Sequence, residues 1–258
     1  MSRFGCPSSQ IVDSPPSIRG YLQNVAGARK RCECLRDELS KLGARRVRTT
    51  EVKEKDWSEH WRKGFKARRI GSRVIVRPSW EETDSGPNDV VLVLDPGQAF
   101  GTGEHPTTRL CLGILQTLPL EGRRVLDLGC GSGILAIAAN KLGAGEVVGS
   151  DIEPAAIGVA RQNAKRNESD VRFELSDGFE ESGLAGPWDL ILSNITSAAL
   201  CRLAFQASNQ LRPGGLWLVS GILLDNWPDV AEAARRSGFE LQFERQEDGW
   251  VGAVFARR

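Results

Sequence analysis

The residues whose types and spacing could do chemistry gather around Val125-Leu-Asp-Leu-Gly-Cys-Gly-Ser-Gly133. Val125 to Leu128 reads as the end of a buried strand. Gly129-Cys-Gly-Ser-Gly133 then turns directly into the apolar stretch Ile134-Leu-Ala-Ile-Ala-Ala-Asn-Lys-Leu142, which Gly143 closes at a helix C′ position. Glycines belong where the backbone must turn sharply and let a ligand lie against it, and the helix start beyond them should present free amide N–H groups. A glycine repeat alone is weak evidence, because an α/β sheet can carry such a turn with no ligand.

Two details narrow the chemistry. The spacing is G-x-G-x-G rather than G-x-G-x-x-G, and Asp127 stands two residues before the first glycine, where its carboxylate would repel a dinucleotide pyrophosphate. S-adenosylmethionine carries an ammonium and a sulfonium but no phosphate, so the same carboxylate suits it. Asp151 then ends the next strand at about the 20-residue offset where an acidic side chain accepts hydrogen bonds from the ribose of an adenosine cofactor. A nicotinamide-binding domain is the competing reading. Upstream, Leu94-Asp-Pro-Gly-Gln-Ala-Phe-Gly-Thr-Gly-Glu-His-Pro-Thr-Thr-Arg-Leu110 is too rich in glycine for regular structure. Thr107 or Thr108 can cap the helix that follows, and a hydroxyl there could also hold the carboxylate of the cofactor's methionine moiety. Downstream, Trp188-Asp-Leu-Ile-Leu-Ser-Asn-Ile-Thr196 places Asn194 at the carboxyl edge of a strand, where its amide oxygen can accept a hydrogen bond from a substrate amine. Ile-Thr-Ser follows Asn194 instead of Pro-Pro and an aromatic, so a flat nucleobase has no platform on which to stack.

Positioning these residues requires a parallel sheet. From Val90 onward, β-branched runs alternate with helical patterns, and strands are expected at Arg124 to Leu128, Glu146 to Ser150, Val171 to Leu175, Asp189 to Ser193 and Gly215 to Ser220, with helices after the first, second, fourth and fifth. Phe239 to Arg245 and Trp250 to Phe255 flank Glu247-Asp-Gly249, a hairpin signal that makes the final strand antiparallel. Before the sheet, Asp56-Trp-Ser-Glu-His-Trp-Arg-Lys-Gly-Phe65 opens with a capping-box pattern and puts Trp57, Trp61 and Phe65 on one helical face, an aromatic stripe suited to packing.

At 258 residues the chain suits one α/β domain plus a smaller lobe. The division expected is a substrate-recognition lobe over 1–54, a linker helix and strand over 55–88, and the cofactor-binding domain over 89–258. No apolar run approaches a membrane span, and Met1 to Gln10 contains no signal-like apolar segment, so a cytoplasmic protein with no membrane contact is expected, its Ser14-Pro-Pro-Ser17 part of a loosely ordered leader. The six cysteines match no zinc spacing, and no metal site is expected. The net charge of +1 hides a basic N-terminal part, since roughly half of all Lys and Arg fall between Ala28 and Arg77. A solvated helical face explains such runs, and a surface that approaches RNA or an RNA-bound partner is the alternative.

Asp95-Pro-Gly-Gln-Ala-Phe-Gly-Thr-Gly-Glu-His-Pro-Thr-Thr108, Asp127-Leu-Gly-Cys-Gly-Ser-Gly-Ile-Leu-Ala-Ile-Ala-Ala139 and Ser193-Asn-Ile195 together resemble the ribosomal protein L-eleven methyltransferases. The resemblance extends through Asp56 to Lys66 and Val76-Arg-Pro-Ser-Trp80, and covers roughly Ile18 to the C-terminus. It implies a class I methyltransferase fold, a Rossmann-like seven-stranded α/β sheet with an antiparallel last strand, beside a small N-terminal α+β lobe of which only the second half is recognisable. It also implies that Thr108, Gly129, Asp151 and Asn194 contact S-adenosylmethionine, that Gly131 lies in the same loop, and that Phe100 and Gly101 lie over the cofactor. The reaction implied is N-methylation of lysine ε-amines and an N-terminal α-amine of ribosomal protein L-eleven. A lysine methyltransferase with another protein substrate and an RNA methyltransferase are the alternatives. With no histidine placed to act as base, Asn194 and backbone carbonyls are expected to orient the amine, and Phe100 to Gly103 to form a lid.

Overall fold

The computed structural model describes residues 9–13, 16–20, 28–41, 47–48, 65–95, 100–179 and 184–258. The chain divides into two compact units, residues 1–60 and 61–258. The aromatic stripe at Trp57 and Trp61, the segment Pro96 to Ala99 and the link at 180–183 lie outside the described residues.

In the smaller unit, β1 (Ser9–Asp13) and β2 (Pro16–Gly20) pair antiparallel with Asp13 opposite Pro16. Pro16 and Ser17, expected to belong to a loose leader, are therefore part of a paired strand. Helix α1 (Ala28–Lys41) follows and is basic, with Arg29 and Lys30 exposed.

The larger unit opens with a three-stranded sheet, β3 (Arg68–Ile70), β4 (Val74–Arg77) and β5 (Val90–Val93), in that order. Two side-chain amides tie it to the helices that follow. Gln116, at the end of α2 (Pro106–Leu115), accepts from Ser72 N and Arg73 N at 2.9 Å each. Asn167, at the end of α4 (Pro154–Arg166), pairs with both backbone groups of Val93, at 2.7 and 2.8 Å. Fixing β5 in this way also fixes the chain entry to the Phe100 loop.

The main sheet contains β6 (Arg124–Leu128), β7 (Glu146–Asp151), β8 (Arg172–Leu175), β9 (Trp188–Asn194), β10 (Leu211–Leu223), β11 (Phe239–Glu247) and β12 (Trp250–Arg257). Their spatial order is β11-β12-β10-β9-β6-β7-β8, and β12 runs antiparallel to both of its neighbours. Helix α3 (Ile134–Lys141) follows β6, α4 follows β7, α5 (Ser197–Gln210) follows β9 and α6 (Trp227–Arg236) follows β10. The seven strands and the antiparallel last one are those the periodicity predicts. The hairpin turn has positive φ at both Asp248 (50°) and Gly249 (78°), with Glu247 opposite Trp250, which is the two-residue loop that Asp-Gly favours. β10 is longer than the expected Gly215 to Ser220, because its N-terminal end also pairs with β9 through a register shift between Leu211 and Leu216.

Strand residues alternate between two cores. Val125, Val147, Leu190, Leu192 and Leu218 face the core shared with α2, α3 and α4, while Leu126, Val148, Ile191, Trp217 and Phe255 face the core shared with α5 and α6. Burial on both faces is what parallel strands require. Period-two alternation also puts Asp127 on the same face as Val125, toward α2 and α3.

Candidate active site

The chain runs β6, β7, β8 toward one edge of the sheet and then returns to β9 on the other side of β6. The crevice at the carboxyl ends of β6 and β9 is thus the switch point where open α/β sheets take ligands. Gly129 to Gly133 leaves β6 on one side of it, and Asn194 ends β9 on the other.

Gly129, Gly131 and Gly133 all have positive φ, at 76°, 53° and 80°. At Gly131 space matters as well, since a Cβ there would lie 2.6 Å from the Phe100 carbonyl oxygen. All five loop amides already have partners in the chain. Gly129 N and Cys130 N donate to Ser150 O at 2.8 Å, Ser132 N to Phe100 O at 2.9 Å and Gly133 N to Cys130 O at 2.8 Å. Gly131 N donates to Asp151 Oδ2 at 2.8 Å. These bonds occupy the loop amides, and a little further on, in the first turn of α3, Ala136 N donates to Asp127 Oδ2 at 3.0 Å. A pyrophosphate would find carboxylates in place of donors, which strengthens the preference for a cationic, phosphate-free cofactor.

Asp127 is fully buried, and its carboxyl is pushed up to about 7 by burial, against the Ala136 hydrogen bond and with help from the Asp151 charge. Asp151 Oδ1 accepts from Glu153 N at 3.0 Å, so this carboxylate also clasps the loop and the start of α4. Cys111 and Cys130 are neutral thiols, raised by burial and then by the Asp127 charge, and neither is a nucleophile.

Thr107 and Thr108 do not cap α2. His105 does, its Nδ1 accepting from Thr107 N at 3.4 Å and lying 2.8 Å from Thr107 Oγ1. The threonine hydroxyls turn inward, and Thr108 Oγ1 is buried without a partner. Burial, and then the Arg109 charge, hold His105 below its usual range, so the imidazole is neutral at pH 7. Phe100 stays half-exposed and meets His105 edge-on at 5.3 Å. The Phe100 to Gly103 segment is less detached than a lid would be: besides the Phe100 carbonyl bond, Ser132 Oγ donates to Gly101 O at 2.5 Å.

Asn194 is held by its neighbours. Ser193 Oγ accepts from Trp217 Nε1 at 3.0 Å, Asn194 pairs with Ser220, and Thr196 Oγ1 accepts from Ala199 N at 3.4 Å to cap α5. Between them Ile195 packs so closely on Gly129 and Gly221 that a Cβ on either would overlap it.

Among the described residues of the larger unit, four buried side-chain oxygens have no hydrogen-bond partner: Thr108 Oγ1, Asp127 Oδ1, Ser150 Oγ and Asn194 Oδ1. Asp127, Ser150 and Asn194 stand at or next to the carboxyl ends of three adjacent strands, and Thr108 lies on α2 one turn before Cys111, which faces Asp127 and Ser220. Buried polar atoms are almost always paired, so four orphans at one switch point mark a site built for a polar ligand. An ammonium, a carboxylate, ribose hydroxyls and a substrate amine supply suitable donors and acceptors. Sequence reasoning missed Ser150, whose only signal is a serine at the buried end of Val147-Val-Gly-Ser, and Arg109, whose partners are remote. Among the described residues no group of three or more His, Cys, Asp or Glu could hold a metal, and no helix is long and apolar enough to cross a membrane.

Known proteins resemble this chain along most of its length. The family described as Ribosomal protein L11 methyltransferase (PrmA) matches residues 6–258. A ribosomal protein L11 methyltransferase of Pelotomaculum thermopropionicum is 39% identical over 258 residues, covering 98% of this chain and 83% of the relative. That of Ralstonia pickettii is 47% identical over 213 residues, covering 83% and 69%. The crystal structure of a ribosomal protein L11 methylase from Lactobacillus delbrueckii subsp. bulgaricus superposes with a TM-score of 0.70 at 30% identity, over 75% of this chain and all of that one. The chain belongs to the ribosomal protein L11 methyltransferase family, has the class I methyltransferase fold, and takes S-adenosylmethionine as its cofactor.

Proposed function

We propose that this chain methylates amines of ribosomal protein L11, on lysine side chains and the N-terminal α-amine, in the cytoplasm. The observation that carries the reading is the unpartnered Asn194 Oδ1 at the switch point, opposite the glycine loop and with no stacking platform after it in sequence. S-adenosylmethionine supplies a methyl group activated by its sulfonium. Thr108, Asp151, Gly129, Gly131 and the Phe100 backbone seat it, and Asn194 serves both cofactor and substrate. A lysine with pKa near 10.4 costs about 4 to 5 kcal/mol to present neutral at pH 7, whereas an α-amine near 7.7 costs about 1. Asn194 Oδ1 accepts from the neutral amine and aims its lone pair, neutral His105 and the buried thiols add no positive charge beside it, and water takes the proton.

Residues 1–54 serve substrate recognition, residues 55–88 link them to the cofactor-binding domain at 89–258, and the exposed Arg29 and Lys30 on α1 support an accessory approach to ribosomal RNA.

Two experiments test this. Incubation of the chain with purified L11 and labelled S-adenosylmethionine is expected to label lysines and the N-terminus, as mapped by mass spectrometry, and label confined to other residue types would overturn it. Asp151→Ala is expected to weaken cofactor binding at least tenfold, at about 1.5 to 3 kcal/mol for each charge-assisted hydrogen bond lost. Asp151→Asn keeps an acceptor for Gly131 N, so titrating both variants separates the loop clasp from the cofactor bond. Unchanged affinity in both would remove Asp151 from the site.

A further inference from the structure

Arg109 lies on α2 directly after Thr108, with its side chain only 15% exposed, and draws together three segments distant in sequence. Its Nε and Nη2 both reach Glu247 Oε1 at 2.7 Å, its Nη2 also reaches Asp248 Oδ2 at 3.2 Å, and its Nη1 donates to the Glu104 carbonyl. Glu247 and Asp248 form the β11–β12 turn, and Glu104 belongs to the loop that carries Phe100. Next to the turn, Trp250 meets His105 edge-on at 4.9 Å, and His105 meets Phe100, so three rings run from the glycine loop to the hairpin. Trp250 pairs with Leu223, and Leu224 N donates to Gly249 O at 3.0 Å, which extends the row to two half-exposed leucines, the last residue of Asn194's neighbour β10 and the one after it.

We infer that Arg109 is a positioning residue for substrate capture, fixing the Phe100–His105–Trp250 ring row and the Leu223–Leu224 rim as the apolar wall along which a substrate lysine stem reaches Asn194. This rests on the amine-methylating reading above. A lysine carries four methylenes before its nitrogen, and such stems are stabilised along apolar and aromatic surface while the head stays polar. The planar guanidinium fork holds a carboxylate and a carbonyl in fixed, separate directions, which the rotatable ammonium of a lysine does not. His105, neutral itself, adds no positive charge to the wall, and the Arg109 cation behind it is paired with Glu247 and Asp248. Arg109 touches neither Asn194 nor the glycine loop in any recorded bond, so its loss should be felt in substrate binding before methyl transfer.

The test is steady-state kinetics with purified L11 as the protein substrate, together with cofactor titration by calorimetry and hydrogen exchange. Arg109→Ala is expected to raise KM for the protein about tenfold, with kcat and S-adenosylmethionine affinity changed by less than about threefold. Amides of residues 101–105 and 247–250 should exchange faster. Glu247→Gln, which leaves α2 intact, should move KM the same way, Arg109→Lys should recover only part of the loss, and the Arg109→Ala/Glu247→Gln double variant should be no worse than Arg109→Ala alone. An unchanged KM in folded Arg109→Ala and Glu247→Gln would overturn the inference, as would equal losses in cofactor affinity and thermal stability. If the unaltered chain methylates no protein amine, the functional reading fails first. If it does and KM is indifferent to Arg109, the inference alone fails.

Discussion

Replacing Asn194 by alanine is expected to lower turnover by about a hundredfold, with the melting temperature almost unchanged. Removing a group that aims a reacting amine costs about this factor, because small misplacements from a near-attack geometry are felt directly in the rate. The structural cost is small for a reason visible in the fold. Asn194 Oδ1 has no partner inside the protein, so its removal breaks no internal hydrogen bond of that atom, and the strand end is held independently by the Trp217–Ser193 bond, the Ser220 pairing and the packing of Ile195 on two glycines. Single-turnover measurement with saturating cofactor, alongside a cofactor titration, separates the amine-orienting part from the cofactor contact. Full turnover with normal cofactor binding would remove Asn194 from both roles.

The second large effect concerns Asp127. Its carboxyl, raised to about 7, is protonated in part of the ligand-free protein at neutral pH. An ammonium brought beside Asp127 Oδ1 favours the ionised form and lowers that value, so binding of S-adenosylmethionine should release a proton and tighten as pH rises from about 6 to 7.5. Without ligand the sign is reversed. The folded protein holds a proton that the unfolded chain has already lost above about pH 4, so this group makes stability fall as pH climbs from there to about 7. Asp127→Asn keeps an acceptor for Ala136 N but cannot ionise. It is expected to flatten both dependences and to weaken binding at pH 7.5 by tenfold or more, the loss of one charge-assisted bond. Calorimetry in two buffers of different ionisation enthalpy reads the released proton directly. Equal heats in both buffers for the unaltered protein, or the same pH profile in Asp127→Asn, would contradict this role.

Much of the frame is legible in the sequence, because the signals involved are local. Val125 to Leu128, Glu146 to Ser150 and Asp189 to Ser193 are buried on both faces and read as apolar runs. Asp248-Gly249 names its own turn, and the three loop glycines each occupy a left-handed backbone position that their spacing already suggests. The rest depends on encounters that no window of sequence contains. His105 takes the α2 cap because Pro106 opens the helix, a local signal, but the packing of its ring against Phe100 and Trp250 is not local. The loop amides are consumed by Ser150, Phe100, Asp151 and Cys130, the first three remote in sequence, so the loop beside the Asp127 carboxylate has no spare donor for a phosphate. Arg109 meets Glu247 across 138 residues. The β1–β2 pair is hidden because Pro16-Ser17 reads as loose chain, whereas both residues pair in β2.

Charge, rather than the glycine repeat, defines this site. Two carboxylates, Asp127 and Asp151, stand where a dinucleotide would need donors, and four unpaired oxygens await donors of another kind. That combination suits a cationic cofactor and an amine acceptor on protein. The most direct test is to incubate the chain with labelled S-adenosylmethionine and undermethylated large ribosomal subunits, then separate protein from RNA. The expected result is label in protein, migrating with L11 and absent from RNA. Label in the RNA, or in neither fraction, would contradict the assignment.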